Sequence, residues 1–496
     1  MTQVLRSPFL LLAFFLVAIS SCSSINQKGS MSTRPLPKKE LIEDLNYLNE
    51  AMVKTHPIII NPAWSNKLDS FVNSIEQIEG EEISAFEYDN TIREAVSLLG
   101  CVHTAVMKSP LHDLLSEKIN EMGNYYFFPL RLFVDSSGLY IIDLDSTSLN
   151  SSIQFPFQVD SINGLSSQEI IYSMSVHYPQ DGYQKTFAYK ILNEHGAYFL
   201  RRHFYDVNSL LIKGKSEDGE KIELNIEAVQ KYDNRSFRYY QPEGKPIVKE
   251  KDVSLFDIDT ESAYLKLESV MYENYQMIHD TIFEYLASNK KKNLIIDLRG
   301  NGGGSQIVYL DLLSHLSSDS LRIEMVKRDE SGSKLFNRKR HRDKPSKEFY
   351  NRSERMENGT KYFINPLPPK TTIFKGDLYV LIDGGTASGA SQLASFLKNR
   401  MNAICIGQET GGGETGNNGH GYDQLELPNS KITINWPRYN VKLDLPIPIN
   451  HRGVKPNFEI KYDPKSYLLN RDLEMEKVFQ LMGSSDFING KNFIRK

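Results

Sequence analysis

The C-terminal half of this 496-residue chain predicts an α/β fold, preceded by a β-rich middle and a helical N-terminal part. Three observations predict it. From Ser262 onward, strand-like and helix-like patterns alternate, which argues for a parallel layered fold. The runs "KNLIIDL" and "DLYVLID" are nearly continuous in apolar residues, as strands buried on both faces of a parallel sheet are. Each run leads into a glycine loop and then a helix pattern. The length exceeds what one small core needs and points to several domains.

Taken in order, the chain opens with Arg6, a short apolar run and small residues, the pattern of a secretory signal peptide. The run is too short for a comfortable membrane span. Ile19-Ser20-Ser21-Cys22 is similar to a bacterial lipobox, which implies cleavage before Cys22 and lipidation of its thiol. The alternative is an ordinary signal peptide (1–22) with a chance cysteine. Residues 23–40 are polar and rich in Ser, Gly and Pro, and read as a tether. The expected location is therefore outside the cytoplasm, anchored to a membrane.

A helical domain is expected over 41–124. Leu41, Leu45, Leu48 and Met52 recur at helical steps up to Thr55, and a second helix pattern runs from Phe86 to Leu99 before Gly100. Over 125–240 the period becomes two. Tyr125–Val134 and Leu139–Leu144 read as strands around a Ser-Ser-Gly turn, and a hairpin turns at Glu217–Gly219. "SINGLSSQEI" resembles the stretch of a PDZ domain in which a strand ends in an Asn-Gly turn before a helix; any small β module is the other reading. Residues 241–496 form the α/β core. Within it, the polar segment near 319–370 reads as an insertion or lid.

A net charge of −4 gives no support for a nucleic-acid partner, and the basic run Lys339–Lys344 reads as a solvated loop. Beyond Cys22 only Cys101 and Cys405 remain. They make no disulfide framework and no zinc site, and read as buried thiols or one permitted bridge. There is no HExxH, "GNGGGS" is not GxGxxG, and no GKS or GKT supplies a P-loop. No metal or cofactor is expected.

"LIIDLRGNGGGSQIVYL" and "YVLIDGGTASGASQLA" both run strand, glycine loop, helix. In a parallel sheet such loops share the carboxyl edge, where open α/β sheets bind ligands. The first amides of each helix lack intrahelical partners and carry partial positive charge. A serine at such a mouth, Ser388, has the logic of a nucleophile elbow, though "TASGA" is not GxSxG. The amide of Gly389, with one from Gly302 or Gly303, is suited to hold an oxyanion. The plain alternative is a serine N-cap.

These motifs resemble the tail-specific, or C-terminal processing, serine peptidase family, which includes the tricorn core peptidase. The resemblance rests on "LIIDLRGNGGG", on "GGTASGASQLA", and on "HRGVKPN" at His451–Asn457, where Asn457 replaces an Asp. It implies a crotonase-like catalytic core, Ser388 as nucleophile and Gly389 as oxyanion donor. "LGCVHTAV" is similar to the Gly-His-Thr stretch that carries the base in tricorn-like members, which points to His103. Ser–Lys members place a lysine about 25 residues after the serine, but no lysine lies between Lys398 and Lys431, so a Ser–His arrangement is expected. The acid that orients the histidine would fall where this sequence has Asn450; Glu409 is the other candidate. His420 and His451 are alternative bases. The implied function is an exported, lipid-anchored serine endopeptidase acting on extended peptide or protein substrates, of unknown oligomeric state. A catalytically weak or inactive peptide-binding lipoprotein is the alternative. Acyl-thioester chemistry, known from other crotonase-like folds, is disfavoured by the export signal.

Overall fold

The computed structural model describes residues 36–57, 64–77, 79–111, 127–144, 154–229, 237, 239–327, 333–336, 353–355, 361–364, 369–448 and 451–483. The expected signal peptide, Cys22, the tether up to residue 35, the basic run at 339–344 and Asn450 lie outside the described residues.

The architecture is mixed α/β, as expected. Its centre is a seven-stranded sheet in the order Val248–Lys249, Val253–Asp257, Ser262–Leu267, Asn293–Asp297, Asp377–Ile382, Ile404–Gly407, Phe458–Glu459. The first three strands pair antiparallel, and from Ser262–Leu267 onward every pairing is parallel. The apolar runs are continuous because both faces are covered. Leu294, Ile296, Val380 and Ile382 pack under the helices Tyr275–Ser288, Gln306–Ser314 and Ser388–Met401. Ile295, Tyr379 and Leu381 point the other way, against Met475, Val478 and Phe479 of the Leu473–Leu481 helix. Fully burying each such side chain contributes roughly 1.5–3 kcal/mol.

A second, antiparallel sheet is built on the long hairpin Gly416–Glu426 and Thr433–Leu443. Part of the segment expected as an insertion or lid belongs to it. Arg322–Lys327 pairs with the hairpin and is followed in the sheet by Lys361–Ile364 and Ser353–Arg355. Ile323 and Met325 alternate inward there, a period of two that the surrounding charges hide in the sequence. Leu425, Ile434 and Trp436 face the N-terminal helices and share a core with Leu41, Leu45, Leu48 and Met52. Trp436 Nε1 donates to Thr55 Oγ1 at 3.1 Å, and buried Asp44 accepts from Tyr88 and Ser430. The helices Lys38–Thr55 and Ala85–Ser97 match the sequence pattern; the latter starts at a reciprocal Ser84–Glu87 capping box.

The middle of the chain is a third, antiparallel sheet ordered Leu130–Asp135, Gly138–Leu144, Phe157–Ile162, Ser209–Ser216, Lys221–Glu227. The Asn163-Gly164 turn has both residues at positive φ, as the Asn-Gly pair suggests. The 18-residue helix Thr186–His203, which covers this sheet, carries no clean sequence signal. It is buried nearly all round, Lys190, Arg201 and Arg202 included, and His195 interrupts it with non-helical angles. At Gly196 the backbone passes so close to Leu132 that a Cβ would stand 2.6 Å from its Cδ1. Cys101 and Cys405 are buried and free.

Candidate active site

The two glycine loops leave adjacent parallel strands, Asn293–Asp297 and Asp377–Ile382, with Asp297 paired to Leu381. They are stitched together. Ala387 N donates to Asn301 O at 3.0 Å, Thr386 Oγ1 to Leu298 O at 2.9 Å, and Asp383 Oδ1 accepts the amides of Gly300 and Gly385 at 2.8 and 2.9 Å. Ser388 stands where the second loop becomes the Ser388–Met401 helix, and its φ is +48°. A non-glycine residue in that region is uncommon and strained, and such strain concentrates at functional sites. The neighbours are small because other backbones pass close by. A Cβ on Gly412 would stand 2.7 Å from Ser388 N, and one on Gly303 2.7 Å from Ser388 Cβ. Gly411–Gly413 are buried, and Gly412 N donates to Thr386 O at 3.2 Å. Their lack of side chains serves packing against the serine loop.

His103 reaches Ser388: its Nε2 lies 3.0 Å from Ser388 Oγ. The turn that carries it, just past the Ala85–Ser97 helix, is held at several points. Val102 N donates to Asp181 Oδ1 at 2.9 Å, Asn435 Nδ2 to His103 O at 2.9 Å, and Gly182 N to Gly100 O at 2.9 Å. The His103 ring stacks on Tyr422 with centroids 6.2 Å apart. Gly419 leaves room for it, since a Cβ there would be 2.7 Å from Nε2. Burial lowers the His103 pKa to about 4, so the ring is neutral and able to accept a proton at neutral pH. His420 packs its ring on Tyr439, and His451 is exposed with its ring towards Tyr183.

The main-chain donors differ from expectation in one respect. The Gly303 amide does not face the serine as a free donor, because Asn301 Oδ1 turns back and accepts it at 2.9 Å. Gly303 contributes closeness instead, with φ +105° and no room for a Cβ, which would meet Gly389 N at 2.6 Å. Gly389 N lies in the first helical turn, where amides have no intrahelical acceptor. Gly302 is exposed on the loop. Replacing Gly303 by alanine should therefore push the Ala387–Gly389 backbone out of place. The expected result is a fall in kcat of about a hundredfold or more, the scale of a lost oxyanion donor, with a matching fall in serine labelling by a fluorophosphonate. Near-normal turnover in this variant would mean that the two loops tolerate separation.

Glu409 does not orient His103. Its carboxylate is taken by Arg452 and by Gly453 N. Asn450 is outside the described residues. His103 Nδ1 is buried and has no hydrogen-bond partner among the described residues. Two further polar groups escaped the sequence reading. Asn417 is buried beside the imidazole, with its Nδ2 unpartnered among the described residues. Asp181 is buried behind the His103 turn, and its Oδ1 and Oδ2 accept the amides of Val102 and Gly413 at 2.9 and 3.3 Å. Neither lies in a recognisable motif; only the fold brings them here. A Cys101 sulfur, a His103 nitrogen and an Asp181 oxygen lie within 4.8 Å of one another. These donor types resemble a metal set, but burial, together with Asp181, lifts the Cys101 pKa to about 11. Its sulfur already accepts from Thr104 and Asn418. A protonated thiol engaged in this way is not a ready ligand for an ion.

Residues 261–460 match peptidase family S41. No curated protein matches the chain. Among solved structures, the chain is similar to mature CPAF, with 13% identity and a TM-score of 0.57 over 92% of this chain and 99% of that one. It is likewise similar to mature CPAF complexed with lactacystin, at 14% identity and a TM-score of 0.58, over 90% of this chain and 98% of that one. At such identities the likeness is one of fold.

Proposed function

We propose, from the premise that residues 261–460 place this chain in peptidase family S41 and make it a serine-type peptidase, that it cleaves peptide bonds through a Ser388–His103 acyl-enzyme mechanism. The observation that carries this reading is the 3.0 Å approach of His103 Nε2 to Ser388 Oγ at a strained strand-to-helix turn. Ser388 Oγ bonds to the substrate carbonyl carbon while its proton passes to His103 Nε2. The carbonyl oxygen becomes an oxyanion and takes the Gly389 amide, with Gly302 as the second main-chain donor. Collapse breaks the C–N bond, and the proton on Nε2 goes to the leaving amine. Water then attacks the acyl-serine ester by the same proton route and frees the product acid.

The apolar run before Cys22 and the Ile19–Cys22 segment support export and a lipid anchor for the mature chain. The antiparallel module over 125–240 is suited to hold a substrate segment by strand addition, as PDZ-like modules do.

A fluorophosphonate probe tests the central reading. Folded protein is expected to label stoichiometrically, with label and turnover both lost in Ser388→Ala. Absence of labelling in folded protein would favour the second reading, a peptide-binding lipoprotein on a peptidase scaffold.

A further inference from the structure

Ser388 engages one nitrogen of the His103 ring. The other, Nδ1, is sealed from solvent and finds no acceptor among the described residues. If neutral His103 accepts from Ser388 at Nε2, its proton sits on Nδ1. That N–H is a buried donor left unmade, which is costly. The cost rises when Nε2 takes the serine proton and the ring becomes a buried cation. An orphan buried donor at the reacting base calls for an acceptor close by.

One carboxylate is in place. Asp181 is 2% exposed, and one of its oxygens lies within 4.8 Å of a His103 ring nitrogen. Its position is built rather than incidental. It bridges the amide of Val102, next to the histidine, and that of Gly413, in the loop packed on the serine turn. The following residue, Gly182, is pressed against the His451 carbonyl, where a Cβ would stand 1.9 Å away, and its amide donates to Gly100 O. Each Asp181 oxygen keeps a lone pair beyond its amide bond. Glu409, the acid considered from sequence, is consumed by Arg452 and Gly453.

We infer that Asp181 is the positioning carboxylate of His103, holding Nδ1–H and stabilising the imidazolium as Ser388 gives up its proton. The inference rests on the Ser388–His103 reading. No proton is transferred to Asp181: it stays on Nδ1, and the serine proton moves to Nε2 and on to the leaving amine. A short closure of the Asp181 side chain onto the ring completes the hydrogen bond in the transition state, when the attraction is largest.

The pH dependence follows from the surroundings. Burial raises the Asp181 pKa to about 7, although the two amides pull it back in part. Other ionisable groups around the pair are Cys101 on the same turn, Tyr422 stacked on the ring, His451 behind Gly182, and the Glu409–Arg452 ion pair. Cys101 stays protonated across neutrality. Asp181 is thus neutral below its pKa and charged above it, so kcat should rise with pH through about 7.

The test compares full-length wild type, Asp181→Asn and Asp181→Glu on a fluorogenic peptide from pH 5.5 to 8.5. Asp181→Asn is expected to lower kcat about a hundredfold or more, with KM changed little, and to abolish the rise near pH 7. Asp181→Glu should restore part of both. Thermal unfolding verifies that the variants are folded. If Asp181→Asn does not fold, a wild-type profile without a step near pH 7 decides against the inference. A parallel fall at all pH values, with the step kept, would reduce Asp181 to a structural role and overturn it. Loss of turnover in Ser388→Ala and His103→Ala beside an active Asp181→Asn would overturn this inference alone. Unchanged turnover in those two variants would overturn the mechanism beneath it.

Discussion

Replacing His103 by alanine should lower kcat on a peptide substrate by on the order of 10⁴–10⁶-fold, comparable to loss of the serine itself, because nucleophile and base act as a unit. The reason is geometric. His103 Nε2 is the ring nitrogen within hydrogen-bond reach of Ser388 Oγ. A serine hydroxyl is a weak nucleophile until an adjacent base takes its proton. The fold should survive, since the turn carrying His103 is held by main-chain contacts of Gly100, Val102 and the His103 carbonyl. His420→Ala should leave turnover within a few-fold, because its ring packs on Tyr439. The wild-type pH behaviour supplies an independent check. Burial lowers the pKa of His103 to about 4, below its ordinary value of about 6.5. The His103 ring itself is therefore neutral at neutral pH and is protonated only as pH falls through about 4, well below the step near pH 7 assigned to Asp181. The same shift has a stability sign. Between about 6.5 and 4 the unfolded chain binds a proton that the folded ring refuses, so wild type loses stability as pH falls through this window and His103→Ala does not. Unchanged peptide turnover in folded His103→Ala would remove the residue from the mechanism.

Much of this arrangement was readable in the sequence, for identifiable reasons. The central sheet declares itself because two-sided burial makes its strands continuous in apolar residues. The serine loop declares itself because close backbone approach demands runs of tiny residues, as Gly303, Gly389 and Gly412 do here. What was not readable depends on contacts between distant segments. Asn301 diverts the Gly303 amide by a local side-chain turn that no residue spacing forecasts. Asp181 meets Val102 across 79 positions and Gly413 across 232. Its neighbours "PQDGYQ" read as any loop. The helix Thr186–His203 escaped notice because it is buried on nearly every face, which erases the amphipathic period. The strand Arg322–Lys327 escaped because its outward residues are charged and its inward ones few.

Arg299 is expected to carry the largest single stability effect. It lies two residues past the Asn293–Asp297 strand, at the start of the first glycine loop, and is buried. Its guanidinium meets Asp297 at 2.9 Å, Asp472 at 2.7 Å and Glu474 at 3.2 Å, and lies 4.2 Å from the centre of the Tyr239 ring. One cation thus serves three buried carboxylates, aided at Asp297 by Lys266. Burial alone would raise Asp297, but Arg299 and Lys266 more than reverse it and hold it below the usual carboxylate range. Glu474 is raised by burial to about 7 in spite of Arg299. Arg299→Met keeps an apolar stem and removes the charge. Breaking a buried ion pair by deleting one partner costs about 3–5 kcal/mol, because the remaining charges stay desolvated. The loss must depend on pH. Without the guanidinium, Asp297 loses the main charge that holds its pKa down and Glu474 is raised further, so both carboxyls bind protons more tightly in the folded state than with Arg299 present. The stability deficit therefore grows as pH rises past about 4 and should be larger at pH 8 than at pH 5. Urea unfolding at both values measures it. Coupling Arg299→Met with Glu474→Leu should recover part of the loss at pH 8, since one stranded carboxylate is then gone. The Gly300 amide, anchored on Asp383 Oδ1, links this site to the serine loop, so partial loosening should also slow fluorophosphonate labelling of Ser388 before global unfolding. A deficit under about 1 kcal/mol, or one equal at the two pH values, would show that water or a neighbouring cation already shares the charge of these carboxylates.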